Sequence, residues 1–187
     1  MIKRISDITI SLIAIIILLL PCSVILVSIK ITSPGPAIYW SRRVGRKNKF
    51  FMMPKFRTMH LGTPEIATDK LLCSQKYITS IGLFLRKTSI DELPQFLMVL
   101  TGHMSIVGPR PALHNQNELI KKRKRLGIDV LRPGITGWAQ INGRDDITLS
   151  QKVSLDYEYL ISQSLLLDYK IIIKTISLIL RLKHLRS

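Results

Sequence analysis

Hydrophobic positions crowd the two ends of the chain. The longest run comes first: residues 8–29 carry no charge and are bounded by Asp7 and Lys30. As a straight helix this run would be about 33 Å long, enough to cross a hydrocarbon core of about 30 Å. Pro21 sits inside it, where a proline deletes a backbone hydrogen bond and kinks a helix. The hydroxyl of Ser23, two residues on, is suited to donate to a freed carbonyl. Lys3 and Arg4 precede the run, and Lys30, Arg42, Arg43, Arg46, Lys47 and Lys49 follow it. Cations at both flanks favour the cytoplasmic side for both ends. The pattern therefore predicts a re-entrant helix broken near Pro21 and Ser23, ahead of a straight transmembrane anchor. A cleaved secretory signal is disfavoured, since Leu20-Pro21-Cys22 makes a poor small-x-small cleavage site.

Beyond residue 30 the apolar positions come in short groups. Thr32-Ser33-Pro34-Gly35-Pro36 is a loop by composition. A short strand is expected at 37–40, a basic loop at 42–49, and a second strand at 50–56 interrupted by Pro54. Residues 60–75 read as polar and irregular. A helix is expected to end near Arg86, and a buried helix to occupy 93–100. Residues 102–106 and Val107-Gly108-Pro109-Arg110-Pro111 follow as rigid loop. Residues 112–126 read as a helix with a strongly basic end, Lys121-Lys122-Arg123-Lys124-Arg125. A loop then precedes a short strand at 138–141, and 149–166 reads as helix. In the last segment Lys170, Lys174, Ser177, Arg181 and His184 fall on one helical stripe, with aliphatic residues around the remainder. Such a helix suits a membrane interface, with docking on the protein core as the alternative. The expected fold class is α/β, mostly helical with short strands. A re-entrant membrane segment would cover residues 1–30. A compact cytoplasmic domain would cover 31–187, with an interfacial amphipathic helix at about 169–185.

Charge narrows the possible partners. The 187 residues include 28 Lys+Arg against 12 Asp+Glu, a formal net charge of +16. That excess calls for an anionic partner: nucleic acid, an acidic membrane surface or a phosphorylated substrate. Cys22 and Cys73 form no Cys-x-x-Cys pair, and no His stands at ligand spacing, which argues against a zinc site or a disulfide framework.

Acids are scarce, so the adjacent pair Asp91-Glu92 stands out. A carboxylate can attack phosphorus, or hold Mg²⁺ against a phosphate. Arg86 nearby is placed to bind a phosphoryl oxygen. The competing reading is local: Ser89-x-x-Glu92 is a capping box, and acids favour a first helical turn. Pro109 and Pro111 restrict the backbone on either side of Arg110, which suits directed phosphate binding, although an exposed turn would look the same. Lys55, Arg57, Arg132 and Arg144 are phosphate candidates of the same kind. Asp145-Asp146 follows Gly143 and reads as a solvated turn.

Taken in order, these motifs resemble the bacterial sugar transferase family, the monotopic phosphoglycosyl transferases, in its small minimal form. The resemblance rests on Ser33-Pro34-Gly35-Pro36, Arg43-Val44-Gly45, Lys55-Phe56-Arg57-Thr58-Met59, Asp91-Glu92-Leu93-Pro94-Gln95, Met104 to Pro111, Arg132 to Gly137 and Gln140 to Arg144. It implies transfer of a sugar phosphate from a UDP-sugar to polyprenyl phosphate, with Mg²⁺, at the cytoplasmic face of the bacterial inner membrane. UMP is the other product. It also implies that Asp91 attacks the β-phosphate and helps hold Mg²⁺, and that Glu92 supports the metal or a proton transfer. Arg86 and Arg110 would bind phosphate or nucleotide. Met98 and His103 stand where the family pattern has Asn and Asp. Downstream glycosyltransferases would use the lipid-linked product. The sugar and the oligomeric state stay open. The second function class is a membrane-anchored nucleic-acid-binding protein with residues 121–125 as its patch, which the sequence supports with no recognisable recognition motif. The third, a membrane adaptor, leaves the ordered motifs unexplained.

Overall fold

The structure is a computed structural model and is described for residues 1–64, 74–143 and 147–184. Helix α1 (Ile2–Thr32) continues through Pro21 as one helical run, without the predicted interruption. Pro21 has no N–H for the carbonyl of Ile17, and Ser23 does not replace it. The Ser23 hydroxyl donates instead to the carbonyl of Leu19, at 2.9 Å. Both ends of α1 dock on the rest of the protein. At the start, the buried carboxylate of Asp7 accepts from the Ser105 hydroxyl and the Ile106 N–H, at 2.8 and 3.1 Å. Lys3 and Arg4 are tied down beside it. At the other end, Cys22, Ile25, Leu26 and Ile29 pack with Ala37, Phe56 and Leu85. The middle touches little: Ile16 is 72% and Leu20 75% exposed.

Strand β1 (Ile38–Val44) pairs antiparallel with β2 (Phe50–Phe56). β1 extends into the residues expected as basic loop, because Ser41 and Val44 are buried while Trp40 and Arg42 face out. Arg42 lies over the Phe50 ring, 4.4 Å from its centroid. Lys47 and Asn48 make the turn in the left-handed region. Pro54 does not interrupt β2, which is an edge strand and tolerates a residue without a donor.

The chain then forms α2 (Ser80–Lys87), a 3₁₀ turn (Ile90–Gln95) and α3 (Phe96–Leu100). β3 (Ser105–Val107) follows, inside the stretch expected as loop. The helix expected over 112–126 is shorter. Ala112–Leu113 is a strand, β4, on the free side of β1, and only α4 (Asn117–Arg125) is helical. β5 (Gly134–Thr136) pairs parallel with β3. The strand expected at 138–141 is one helical turn, α5 (Trp138–Ile141), because the preceding residues 134–136 supply the sheet contact instead. α6 (Leu149–Ser162) starts with a Thr148–Gln151 capping box, and α7 (Leu165–His184) follows a break at Gln163.

A core formed around Phe51, Met104, Val107, Tyr159 and Ile171 joins α1, both sheets, α6 and α7. α7 docks on the protein core by one side and leaves an apolar stripe exposed on another. Asp168 and Ile171 are buried on one side, whereas Leu166, Tyr169, Ile173, Ile176 and Leu180 form an exposed apolar stripe. Lys170 and Lys174 are exposed between them.

β3 and β5 approach unusually closely at glycine. Gly108 N–H donates to Thr136 O at 2.9 Å, and Gly134 N–H to Pro109 O at 3.0 Å. A Cβ on Gly134 would lie 2.2 Å from Gly108 N, a contact with backbone that cannot relax locally. Gly134→Ala is therefore expected to destabilise the protein by about 3 kcal/mol or more, measured by denaturation in detergent. A neutral outcome would contradict this packing.

Candidate active site

The site is assembled from three parts of the chain. α2 is capped by Thr79, whose hydroxyl accepts from Gly82 N–H at 3.1 Å, and it carries Arg86 in its last turn. Ser89 then takes a left-handed conformation, φ 58°, and turns the chain into the 3₁₀ segment that bears Asp91 and Glu92. The expected capping box does not form. The Ser89 side chain makes no cap bond, and the Glu92 carboxylate is engaged elsewhere. β2 packs on this segment and contributes Lys55, and the Pro109-Arg110-Pro111 loop contributes Arg110.

Glu92 is the meeting point. Lys55 Nζ donates to its Oε1 at 2.7 Å, and Arg110 Nη2 donates to the same oxygen at 2.8 Å. Arg110 Nη1 reaches Oε2 at 3.5 Å. Lys55 Nζ also lies 3.8 Å from Asp91 Oδ2. The two carboxyls consequently behave differently. Burial pushes the Asp91 carboxyl up; Lys55, Arg86 and Arg110 only partly offset this, and the Glu92 charge adds to it. Burial would also push Glu92 up, but Arg110 and Lys55 more than reverse it and hold that carboxyl well below the usual range. Acids whose environments drive them apart in this way mark a division of roles.

The remaining predicted positions divide. Lys55, Arg86 and Arg110 gather at the dyad, whereas Pro109 and Pro111 flank Arg110 and line a separate cleft with Val44, Gly45 and Ile128. Arg57 does not join the dyad: it is buried, and its Nη1 and Nη2 donate to the carbonyls of Pro34 and Ser33, both at 2.7 Å. It fastens the chain where α1 ends. Arg132 also faces away, with Nε on the Gly102 carbonyl at 2.9 Å and with Arg46, Arg4 and Asp7 as its charged neighbours. Arg144 and Asp145-Asp146 lie outside the described residues. The His103 ring stacks on Phe51 at 6.0 Å, and Met98 packs against the core, so neither departure from the family pattern reaches the carboxylates. Two residues that the sequence did not single out also bear on the loop. Arg123 pairs with buried Asp156 and donates to the Arg110 carbonyl. The basic run around Arg123 hid that inward-facing position.

Among the described residues no group of three or more His, Cys, Asp or Glu side chains is arranged to hold a metal. Two adjacent carboxylates nevertheless suit Mg²⁺, which is commonly held by one or two carboxylates with substrate phosphates completing its shell. Asp91 fits that requirement more directly than Glu92, whose oxygens already face two cations.

The chain belongs to the bacterial sugar transferase family, whose sequence profile it matches over residues 1–182. It is 37% identical over 185 residues to the UDP-glucose:undecaprenyl-phosphate glucose-1-phosphate transferase of Escherichia coli (strain K12), covering 94% of this chain and 39% of that protein. It is 41% identical over 158 residues to the galactosyl transferase CpsE of Streptococcus agalactiae, covering 78% of this chain and 35% of that protein. It thus spans well under half of these larger relatives. With the exopolysaccharide production protein ExoY of Sinorhizobium fredii it shares 35% identity over 189 residues, covering 93% of this chain and 83% of that protein.

Two predictions follow from the geometry. A non-glycine residue in the left-handed region costs about 1–2 kcal/mol, so Ser89→Gly should keep or raise the melting temperature, whereas Ser89→Val should lower it and impair activity. Glu92 is an acid with a depressed folded pKa. Its stabilising contribution is complete above its ordinary value of 4.5 and is lost as pH falls through that value towards the depressed one. Glu92→Gln should therefore lower the melting temperature at neutral pH and flatten its decline on acidification.

Proposed function

We propose that this protein transfers a sugar 1-phosphate from a UDP-sugar to polyprenyl phosphate, giving polyprenyl-diphosphate-sugar and UMP. This would be the initiating step of a bacterial surface glycan. The observation that carries the reading is the dyad itself: a buried Asp91 beside a Glu92 that Lys55 and Arg110 lock as an anion. The relatives supply the substrate class, a UDP-glucose:undecaprenyl-phosphate glucose-1-phosphate transferase among them.

In the proposed reaction a carboxylate oxygen of Asp91 attacks the β-phosphorus of the UDP-sugar. The bond from that phosphorus to the bridging oxygen breaks, and UMP leaves with the bridging oxygen and its electron pair. Asp91 then carries the sugar phosphate as an acyl phosphate. An oxygen of the lipid phosphate attacks the same phosphorus, the bond to Asp91 breaks, and the carboxylate is restored. Lys55, Arg86 and Arg110 stabilise charge on the phosphoryl oxygens. Mg²⁺, held by Asp91 and the substrate phosphates, would supply further charge neutralisation. Glu92 acts as a fixed anion that orients Lys55 and Arg110. A proton carrier needs a carboxyl that titrates near neutral pH, and Glu92 is held far below that.

The membrane arrangement belongs to the same proposal. Both ends of α1 dock on one domain, and its exposed middle is apolar. Docking of both ends on one domain favours entry and return over crossing; because α1 is helical throughout, the return would need a bend at Pro21, where a backbone hydrogen bond is missing. The exposed stripe of α7 would lie in the same interface, at the cytoplasmic face. No nucleic acid is required, since an anionic leaflet and two phosphorylated substrates account for the charge.

The test is UMP release by detergent-purified protein with Mg²⁺ and polyprenyl phosphate, across a panel of UDP-sugars. Asp91→Asn should lose about 10³-fold or more of this activity; full activity in that variant would overturn the assignment. The acidic limb of kcat/KM should lie above the ordinary Asp value of 3.8. It should move higher in Lys55→Gln, where the cation that most offsets the burial of Asp91 is gone.

A further inference from the structure

Arg123 lies in the most basic run of the chain, yet within residues 121–125 it is the buried one, 8% exposed. Its Nε and Nη2 donate to Asp156 Oδ2 at 2.9 and 2.6 Å, and Asp156 on α6 is itself 2% exposed. A buried ion pair of this kind can often be replaced by apolar side chains without loss of stability, so the pair alone suggests no task. The third donor does. Arg123 Nη1 donates to the main-chain carbonyl of Arg110 at 2.8 Å.

That carbonyl is the middle one of three in a row, all held by donors from elsewhere in the fold. The Pro109 carbonyl accepts from Gly134 N–H at 3.0 Å. The Pro111 carbonyl accepts from Arg43 Nη1 at 3.2 Å. Arg123 completes the set at the residue whose guanidinium grips Glu92. Two prolines limit rotation within the loop, but they do not fix how the loop as a whole is seated. Three carbonyl anchors do.

We propose that Arg123 and Asp156 are positioning residues for the transfer step. Asp156 orients the Arg123 guanidinium, Arg123 fixes the main chain at Arg110, and the Arg110 side chain is thereby aimed at Glu92 and the substrate phosphate. The inference rests on the dyad being the catalytic centre. Small displacements of a positioning group reduce turnover on the order of 10- to 100-fold without removing any group that touches substrate.

A double-mutant cycle separates this role from a structural one. The combined replacement Arg123→Met with Asp156→Leu removes the buried charges together, preserving the fold while leaving the Arg110 carbonyl without its donor. UMP release is measured for this variant, for Arg110→Met, and for the triple combination. The inference expects an unchanged melting temperature and a loss of about 10- to 100-fold for the paired replacement. It expects no further loss when that replacement is added to Arg110→Met, because Arg123 acts only through Arg110. Losses that multiply, or no loss from the paired replacement, overturn it. If Arg110→Met alone leaves activity intact, the reading of the dyad's surroundings fails and this inference falls with it, a result distinct from multiplying losses. Should the paired replacement not fold, Arg123→Met with Asp156→Asn provides the second variant: methionine cannot donate to the Arg110 carbonyl, and no buried charge is left unpaired. The same loss, and the same absence of further loss in the Arg110→Met background, are expected of it; full activity in that variant overturns the proposal.

Discussion

Lys55 and Arg110 approach Glu92 from different parts of the fold, one from the edge strand β2 and the other from the loop after β3, and they meet on the same carboxylate oxygen. Bringing two cations to one anion sets the character of everything around it. Glu92 stays ionised, the cations stay fixed, and Asp91, one residue away, is left buried and close to Lys55 without being locked in the same way. An acid with its pKa raised by burial is a better match for attack on phosphorus than one buried under ion pairs, because less electrostatic stabilisation has to be given up as the bond forms. The left-handed Ser89 and the close glycine contact between β3 and β5 are the backbone features that bring these side chains together.

The long apolar helix α1 is bound to the same framework. Lys3 donates to the carbonyl of Val107, directly before the loop that bears Arg110, and pairs with Asp168 at 2.6 Å. Tyr159 donates to the other oxygen of Asp168 at 2.6 Å. Arg4 donates to the last carbonyls of α3, the helix that continues the dyad segment. The helix that would enter the bilayer is thus tied at its first turn to both elements that frame the site. In the proposed reaction this arrangement would hold the chemistry at a set depth relative to a lipid substrate.

The sequence made some of this legible and concealed the rest, for identifiable reasons. The apolar run, a strand on either side of the basic segment and the terminal amphipathic helix were readable from local pattern, but the extent of β1 and its pairing with β2 were not. Residues 112–113 and 138–141 were misjudged because their state depends on tertiary contacts: a third strand against β1 in one case, and glycine packing upstream in the other. Asp91 and Glu92 stood out by scarcity and adjacency, but whether they began a helix or formed a site depended on Lys55 and Arg110, which lie far away in sequence. Arg57 looked like a phosphate ligand and proved to be a fastener of Ser33 and Pro34, since nothing in its neighbours reveals that its side chain is buried. Arg123 was hidden in the opposite way, its burial masked by exposed cations on both sides.

The central claim is that Asp91 itself becomes bonded to phosphorus. The most direct measurement is intact-protein and peptide mass spectrometry after mixing the purified protein with a turned-over UDP-sugar and Mg²⁺ in the absence of any lipid acceptor. The account predicts a mass increase of one sugar phosphate located on Asp91 and its disappearance when polyprenyl phosphate is added. Turnover with lipid but no adduct under rapid quenching, or an adduct located on another residue, would contradict it.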